Sequence, residues 1–196
     1  MIFLMSLLSY LIGSIPSGYL LTKHYKGIDI RKHGSGNIGA TNVTRVSGSK
    51  LGNITKVCDI SKGLIPILIG DILIRTNAIT YNRDILLSTL CICVILGHNY
   101  TIFLGFKGGK GVATTIASFA YVLPLETLIA LGFFFGLKVV TKIVSVRSMV
   151  FGFILFISTV ILKGNSIYSY VTFIAFILIL IRHKANIIRL LNGEEK

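Results

Sequence analysis

"MIFLMSLLSYLIGSIPSGYLLT", residues 1–22, is the stretch that decides the fold, because it contains no charged side chain. A helix crossing the hydrocarbon core of a bilayer needs about 20 apolar residues, and this stretch supplies them. No basic segment precedes it, and its first charges, Lys23 and Lys26, come after it. That order is typical of a retained membrane anchor and not of a cleaved signal peptide.

The composition of the whole chain extends this interpretation to all 196 residues, of which 53% are apolar and only 14% charged, with mean hydropathy +0.81. Soluble domains carry about 25% charged residues. We therefore predict a single membrane-embedded, all-α domain over residues 1–196. The cysteines Cys58, Cys91 and Cys93 lie in or beside apolar runs, which favours small buried residues over a disulfide or a metal site.

Further apolar runs predict the other membrane helices. Clear runs cover 85–104, 145–162 and 166–181, and the run 57–74 carries Asp59 and Lys62 near its start. The run 111–140 is too long for one straight crossing, and we expect a hairpin that breaks at Pro124. The prediction is about seven membrane helices, with five full spans plus a short re-entrant hairpin as the alternative.

The distribution of basic residues predicts the sidedness. With the N-terminus outside, seventeen of the 20 lysines and arginines lie inside, and only Arg75, Arg83 and Lys163 lie outside. Such a bias toward the cytoplasmic side places the C-terminus in the cytoplasm. No aromatic and basic surface remains once the spans are removed, so the sequence indicates no nucleic-acid partner.

The loop "HGSGNIGATNVTR", residues 33–45, spells G-x-G-x-x-G and is followed by Asp59 at the spacing of a dinucleotide-binding fingerprint. That fold needs a strand before the loop and a parallel sheet around it. A membrane span ends just upstream and a second apolar run follows, so no length remains for a Rossmann domain. His24 and Asp29 likewise match an H-x-x-x-x-D acyltransferase spacing that short sequences reach by chance.

The loop "GFKGGKGVATT", residues 105–115, combines glycines with Lys107 and Lys110 before a predicted helix start. Accessible backbone N–H groups, cations and a helix N-terminus together favour an anion site. The motif is not a Walker A loop, because Gly111 stands where a magnesium-binding Ser or Thr is needed. The alternative is a flexible basic turn held at anionic lipid headgroups.

The segment "RHKANIIRLLNGEE", residues 182–195, places Arg182, Asn186 and Arg189 on one stripe of a helix, with His183 beside it. This stripe either faces a substrate or is the solvated face of an amphipathic interfacial helix. Asp59 and Lys62, three residues apart at the edge of an apolar run, predict a mutual ion pair that orients a neighbouring loop.

Six segments in order resemble one family: "GSIPSGYL", "GSGNIGATNVTR", "DISKG", "GHN", "FKGGKGVAT" and "RHKANIIRLLNGEE". They are similar to the bacterial acyl-phosphate:glycerol-3-phosphate acyltransferases of the membrane-integral PlsY type. The resemblance implies transfer of an acyl group from acyl phosphate to the 1-hydroxyl of glycerol 3-phosphate, giving lysophosphatidic acid and phosphate in the first step of phospholipid synthesis. It also implies a multi-pass protein of the bacterial plasma membrane, with its active site at the cytoplasmic face and membrane lipids as neighbours.

The resemblance and the residue types together give a set of expected site residues. We expect Lys107, Lys110 and the surrounding glycine amides to bind one phosphate. Arg45, Ser148, His183 and Asn186 would bind the other, and Ser35 and Asn37 would contact the glycerol or the developing oxyanion. His183 is the side-chain base candidate, and a substrate phosphate oxygen is the alternative base.

The complete expectation has three parts. The catalytic residues are Ser35, Lys110 and His183; the orienting residues are Asp59, Lys62, His98 and Asn99. The substrate-binding residues are Gly34, Gly36, Asn37, Thr41, Asn42, Arg45, Lys107, Gly108, Gly109, Gly111, Ser145, Ser148, Arg182, Asn186 and Arg189. Because acyl phosphate is already activated, no metal, ATP, coenzyme A or other cofactor is expected. Arg147 departs from the family, which usually has a small residue at this position.

The alternative function is a transporter or flippase for an organic phosphate or a lysophospholipid. Transporters tend to have internal repeats and binding sites at the membrane midplane. This sequence has no visible repeat, and its polar loops gather at one face, which favours an enzyme acting at the interface.

Overall fold

A computed structural model of the chain describes residues 1–195. That part forms only helices, with no strand. They are α1 (Ile2–Ser14), α2 (Ser17–Lys26), α3 (Ala40–Ser47), α4 (Ser49–Arg75), α5 (Arg83–Asn99), α6 (Val112–Val122), α7 (Pro124–Gly136), α8 (Val144–Lys163), α9 (Ile167–Arg182) and α10 (Lys184–Leu191). Single turns of 3-10 helix lie at Ile30–Lys32 and Ile102–Leu104.

The first apolar stretch is interrupted at Pro16, which has no N–H to continue the hydrogen bonding of α1. Even so, α1 and α2 together form a segment, Ile2–Lys26, that is long and apolar enough to cross a membrane. The segments Arg83–Leu104 and Val144–Lys163 also meet this criterion. A fourth span results if α9 and α10, which meet at an angle of 57°, are taken together.

The long run 111–140 folds as the predicted hairpin. α6 ends at Val122, and Pro124 is the first residue of α7, where a missing N–H costs nothing. Glu126 at the start of α7 lies 3.7 Å from Lys163 at the end of α8, so α7 and α8 run in opposite directions. The break at Pro124 is therefore confirmed.

Side-chain contacts fix the direction of every long helix. At one end of the bundle, which we call the far end, Arg75 and Arg83 both bind the Asp71 carboxylate, and the Tyr121 hydroxyl donates to it. At the other end, which we call the site end, Arg182 of α9 binds the loop before α6. Accordingly α1, α5, α7 and α9 run toward the site end, and α4, α6 and α8 run away from it. This alternation is what seven crossings require, while the number of spans and the sidedness stay predictions.

The contact between α1 and α5 is unusually close. A Cβ added at Gly13 would lie 2.2 Å from the carbonyl oxygen of Val94, and one at Gly97 would lie 2.1 Å from that of Tyr10. Ser9 also donates a hydrogen bond to Leu90 across the contact, with 2.8 Å between donor and acceptor. Small residues that bring backbones together are a common means of helix association in membranes.

The outer surface of the bundle is apolar. Large side chains such as Phe3, Val57, Leu128 and Phe135 are more than half exposed. Exposing such a surface to water is energetically unfavourable, whereas the lipid chains of a bilayer are as apolar as these side chains.

Candidate active site

A cavity of about 500 Å³ opens at the site end. Three parts of the chain line it: the segment before α3, the loop before α6, and the junction of α9 with α10. Most of the residues that line it are polar or basic, and they are Asp29, Arg31, Lys32, Ser35, Gly36, Asn37, Ile38, Lys107, Gly108, Lys110, Arg182, Ala185, Asn186 and Arg189. The predicted loops therefore meet at one cavity.

The 33–45 loop is held in shape by the buried side chain of Asn42. Its amide nitrogen donates to the carbonyls of His33 and Asn37, at 3.0 and 2.9 Å, and its oxygen accepts the Ser35 N–H at 2.9 Å. Gly34 has φ +58°, and a Cβ there would lie 2.3 Å from the Asn42 oxygen. These contacts give Asn42 and Gly34 a role in the shape of the loop, and their contact with substrate stays a prediction.

Ser35 and Asn37 both line the cavity. The Ser35 side chain is exposed at its edge, while the Asn37 oxygen accepts the Gly39 N–H at 2.8 Å, just before α3. Thr41 and Arg45 lie on α3, where both are exposed and neither belongs to the cavity wall. Arg45 is nevertheless near enough for its charge to act on Lys110.

The glycines of the 105–111 loop serve close packing. The N–H groups of Gly108 and Gly109 donate to the carbonyls of Asn99 and His98, at 3.2 and 2.9 Å, so they are not available to a phosphate. A Cβ at Gly109 would lie 2.0 Å from His98 Nε2. Gly111 has φ +78° and lies against the Asn99 side chain. The structure thus gives a different reason for these glycines than the amide donation expected from the sequence.

Gly109→Ala is expected to lower the free energy of unfolding by about 1–3 kcal/mol, the usual range for overpacking a filled site. The added methyl group meets the imidazole of His98, which is buried beneath the loop. Thermal unfolding in detergent measures the change. Gly132→Ala in α7 is the matched control, since a Cβ there meets nothing within 4 Å. Equal unfolding temperatures for both variants and the parent would contradict the packing argument.

Arg182 connects the 105–111 loop to α9 by hydrogen bonds. Its Nε donates to the Gly109 carbonyl at 2.9 Å, one terminal nitrogen donates to the Gly108 carbonyl at 2.8 Å, and its guanidinium lies over the Tyr100 ring. Arg182 also lines the cavity, as predicted for a substrate-binding residue. Much of its hydrogen-bonding capacity is nonetheless used to hold the loop.

Beneath the loop lies a buried cluster of Asp59, Lys62 and His98. The predicted ion pair is confirmed: Lys62 Nζ is 2.9 Å from Asp59 Oδ1, and both side chains are about 95% buried. Lys62 also donates to the Ile15 carbonyl at the bend between α1 and α2. His98 Nδ1 is 3.7 Å from the same Asp59 oxygen. The cluster therefore joins α1, α4 and α5 directly below the glycine loop.

Lys110 is a partly buried cation of the cavity wall, and its Nζ donates to the Asn186 side-chain oxygen. Burial and the positive charges of Arg189, Arg182 and Arg45 lower the pKa of Lys110 to about 8, although the Glu195 carboxylate acts in the opposite sense. A lysine in this state is charged at neutral pH, and an anion in the cavity would stabilise that charge.

His183, the first residue after α9, lies behind the cavity wall, with its side chain almost fully buried. Its Nδ1 is 2.8 Å from the Ile179 carbonyl, so Nδ1 carries the proton and Nε2 is the acceptor. Burial and the Lys110 charge lower the pKa of His183 to about 4, away from the near-neutral value expected from the sequence.

The serines of α8 differ from each other. Ser148 is buried, lies outside the cavity wall, and donates to the Val144 carbonyl in its own helix. Ser145 donates instead to the carboxylate of Glu195 at 2.9 Å. Arg147 lies over the Phe134 ring and has one guanidinium nitrogen, Nε, without a partner among the described residues.

Six wall or near-wall residues were not assigned to the site by the sequence analysis: Asp29, Arg31, Lys32, Ile38, Ala185 and Glu195. Asp29 and Arg31 form an ion pair at 2.7 Å, and this hydrogen bonding lowers the pKa of Asp29 to about 2. Arg31 and Lys32 are two adjacent cations just before the glycine loop, and this position could have indicated a role in anion binding. For Glu195 the signal was an acid at the end of a basic segment, in a chain with only 7 acids. Within residues 1–195, no three His, Cys, Asp or Glu side chains are grouped as metal ligands.

The family model described as "Glycerol-3-phosphate acyltransferase" matches residues 3–193. The chain belongs to this family. The glycerol-3-phosphate acyltransferase of Clostridium acetobutylicum is 46% identical over 190 residues, which cover 97% of this chain and 96% of that protein. That of Fusobacterium nucleatum is 41% identical over 188 residues, with 96% and 93% coverage.

Solved structures of a glycerol-3-phosphate acyltransferase share the fold. The glycerol 3-phosphate form of PlsY (YgiH), an integral membrane protein, superimposes with a TM-score of 0.88 at 35% identity, covering 100% of this chain and 94% of that one. Its lysophosphatidic acid form gives 0.85 at 34% identity, with the same coverage. The resemblance to the PlsY family and the prediction of an all-α membrane protein are thereby confirmed.

Proposed function

We propose that this chain transfers a fatty acyl group from acyl phosphate to the 1-hydroxyl of glycerol 3-phosphate at the cytoplasmic face of a bacterial plasma membrane. The observation that carries the proposal is the single cavity at the site end, where Lys107, Lys110, Arg182 and Arg189 all line the wall. Both proposed substrates carry phosphate, and clustered cations are groups that bind it. The seventeen basic residues assigned to one side support the cytoplasmic location.

In the proposed reaction the 1-hydroxyl oxygen attacks the carbonyl carbon of acyl phosphate. A new C–O ester bond forms, the bond from that carbon to the bridging phosphate oxygen breaks, and inorganic phosphate leaves. The hydroxyl proton goes to a phosphate oxygen or to His183 Nε2. Because the acyl group is already activated, positioning and charge stabilisation carry most of the rate enhancement.

The geometry supports a particular assignment of the proposed phosphate ligands. Lys110, Asn186 and Arg189 lie together at the α10 side of the cavity, and Lys107 lies in the loop opposite the 33–38 segment. Ser35 stands at the edge with a free hydroxyl for the glycerol or the oxyanion. In this assignment Arg45 contributes its positive charge to the site without lining the cavity. The buried Ser148 stabilises α8 through its hydrogen bond within that helix. The two anion sites expected from the sequence thus become two sides of one cavity.

The base assignment favours the phosphate oxygen over His183. A buried imidazole with a pKa of about 4 is neutral at physiological pH but a weak proton acceptor. A phosphate monoester, with a second pKa near 6, is the stronger base and is already present on the substrate.

The proposal predicts a basic limb in the pH profile of kcat/KM. Lys110 is charged below its pKa of about 8 and neutral above it, so phosphate binding and kcat/KM are expected to fall as the pH rises through that value. Lys110→Arg keeps its charge to far higher pH and should move the limb upward. A parent profile that stays flat from pH 7 to about 10, beyond the lowered pKa, would contradict charged Lys110 as a phosphate ligand.

The function itself is tested with purified protein in detergent or vesicles, supplied with glycerol 3-phosphate and acyl phosphate. Release of inorganic phosphate together with formation of 1-acylglycerol 3-phosphate is the expected result, and acyl-coenzyme A should not replace acyl phosphate. No acyl transfer, together with uptake of glycerol 3-phosphate into sealed vesicles, would overturn the proposal in favour of the transporter.

A further inference from the structure

We propose that Arg147 and the loop between α7 and α8, residues 137–143, bind the phosphate headgroup of an anionic membrane lipid. The cavity wall described above includes none of these residues, so this site is separate from the candidate active site. The inference goes beyond the proposed acyl transfer and does not depend on it. A buried guanidinium without a counter-charge is the observation that points to a ligand.

Arg147 is only 8% exposed, yet it forms no ion pair within residues 1–195. One terminal nitrogen donates a long hydrogen bond of 3.4 Å to the Lys142 carbonyl, and Nε has no partner in that part of the chain. The Phe134 ring lies 5.2 Å from the guanidinium carbon. A guanidinium stays charged at physiological pH, and burying it without a counter-charge costs free energy. An anion from outside the chain would supply that charge.

The start of α8 contributes donors at the same place. The Arg147 side chain turns back past the beginning of the helix at Val144, because it reaches the carbonyl of Lys142. No side chain caps this helix start, and the Thr141 hydroxyl accepts only the earlier Ile143 N–H, at 3.2 Å. The first N–H groups of a helix have no partner within it and carry partial positive charge. The helix start and the buried guanidinium therefore favour one shared anion.

The loop itself indicates that this anion belongs to a lipid. Val139 and Val140 are 92% and 81% exposed, and the exposed Lys138 and Lys142 flank them. Contact with hydrocarbon chains removes two such valines from water, while lysines beside them suit the phosphates of anionic headgroups. A soluble anion would account for the cations but not for the valines.

An apolar groove on α7 offers a place for a chain of the same lipid. The groove has a volume of about 460 Å³, is lined by residues 129–137, and ends beside Leu137, the residue before Lys138. Gly132 and Gly136 keep it open, since a Cβ at either position would meet nothing within 4 Å. A hydrocarbon chain in this groove leads directly to the loop that would bind the headgroup.

Thermal unfolding of the purified protein in detergent tests the site with a defined pair of lipids. Phosphatidylglycerol should raise the unfolding temperature of the parent by about 2–6 °C more than the same amount of zwitterionic phosphatidylcholine. In Arg147→Gln this difference between the two lipids should fall to about 1 °C or less. Because the lipids are compared within each variant, a change in the variant's own stability does not affect the result. An undiminished difference in Arg147→Gln would overturn the proposal.

The double variant Lys138→Gln, Lys142→Gln removes only exposed charges and keeps the test valid if Arg147→Gln folds poorly. It should also lose most of the lipid difference, whereas Lys56→Gln, an exposed lysine near the start of α4, should retain it. An equal loss in Lys56→Gln would mean that net charge alone attracts the lipid, which contradicts a site at the loop.

Inorganic phosphate distinguishes a lipid from a soluble anion. Added alone, it should give no increase in unfolding temperature that depends on Arg147, because it brings no chain for the groove and the valines. An Arg147-dependent increase as large as that with phosphatidylglycerol would refute the lipid as the occupant. These measurements need no turnover, so failure of acyl transfer would leave this inference standing.

Discussion

Lys110→Ala is expected to lower kcat/KM about 10- to 100-fold, which corresponds to losing one hydrogen bond to a charged group. Lys110 is partly buried in the cavity wall, and its Nζ donates directly to the Asn186 side-chain oxygen. Its ammonium group is therefore poorly hydrated, and its interaction with a phosphate is stronger than that of an exposed lysine. Initial rates of phosphate release, measured against each substrate in turn, give kcat and KM.

The matched control is Lys184→Ala, the removal of an exposed lysine at the start of α10 that does not line the cavity. Its kcat/KM should stay close to that of the parent. If the two variants lose activity equally, the effect is one of net surface charge, and the specific role of Lys110 is refuted. A loss in Lys110→Ala that appears only in KM would indicate ground-state phosphate binding without a contribution to the transition state.

Asp59→Ala is expected to give the largest loss of stability, about 3–5 kcal/mol, because it leaves the buried Lys62 ammonium without its counter-charge. The pair joins α4 to the bend after α1, through Lys62 and the Ile15 carbonyl, and reaches His98 below the glycine loop. Thermal or denaturant-induced unfolding in detergent should show a lower midpoint than for the parent.

The double variant Asp59→Ala, Lys62→Met distinguishes the loss of the ion pair itself from the cost of a buried charge that has no counter-charge. Removing both charges together should restore much of the stability, since replacing a whole buried ion pair by apolar groups is often close to neutral. If the double variant is as unstable as the sum of the single ones, the two charges act independently. In that case the account of Asp59 as the counter-charge of Lys62 is wrong.

Features with a local physical cause could be predicted from the sequence. Pro124 lies in the middle of an apolar run too long for one crossing, where its missing N–H favours a break, so the hairpin of α6 and α7 was correctly placed. Asp59 and Lys62 lie three residues apart on one helix, a spacing that brings side chains together whatever surrounds them. The convergence of the three basic loops followed from their expected position at the same membrane face.

Features that depend on distant neighbours could not be predicted. The N–H groups of Gly108 and Gly109 are taken by the end of α5, and no periodicity reveals which carbonyls a loop will meet. The low pKa of His183 results from burial and from Lys110, which is far away in the sequence. Glu195 reaches Ser145 of α8 only because a short turn after α10 folds back.

The close contact of α1 with α5 has a consequence for handling the protein outside a bilayer. The two helices are held by backbone approach at Gly13 and Gly97 and by the hydrogen bond from Ser9 to the Leu90 carbonyl. Expulsion of water contributes little to such an association, since the helices leave an apolar solvent to meet each other. We therefore expect the α1–α5 contact to persist when a mild detergent replaces the lipid around it.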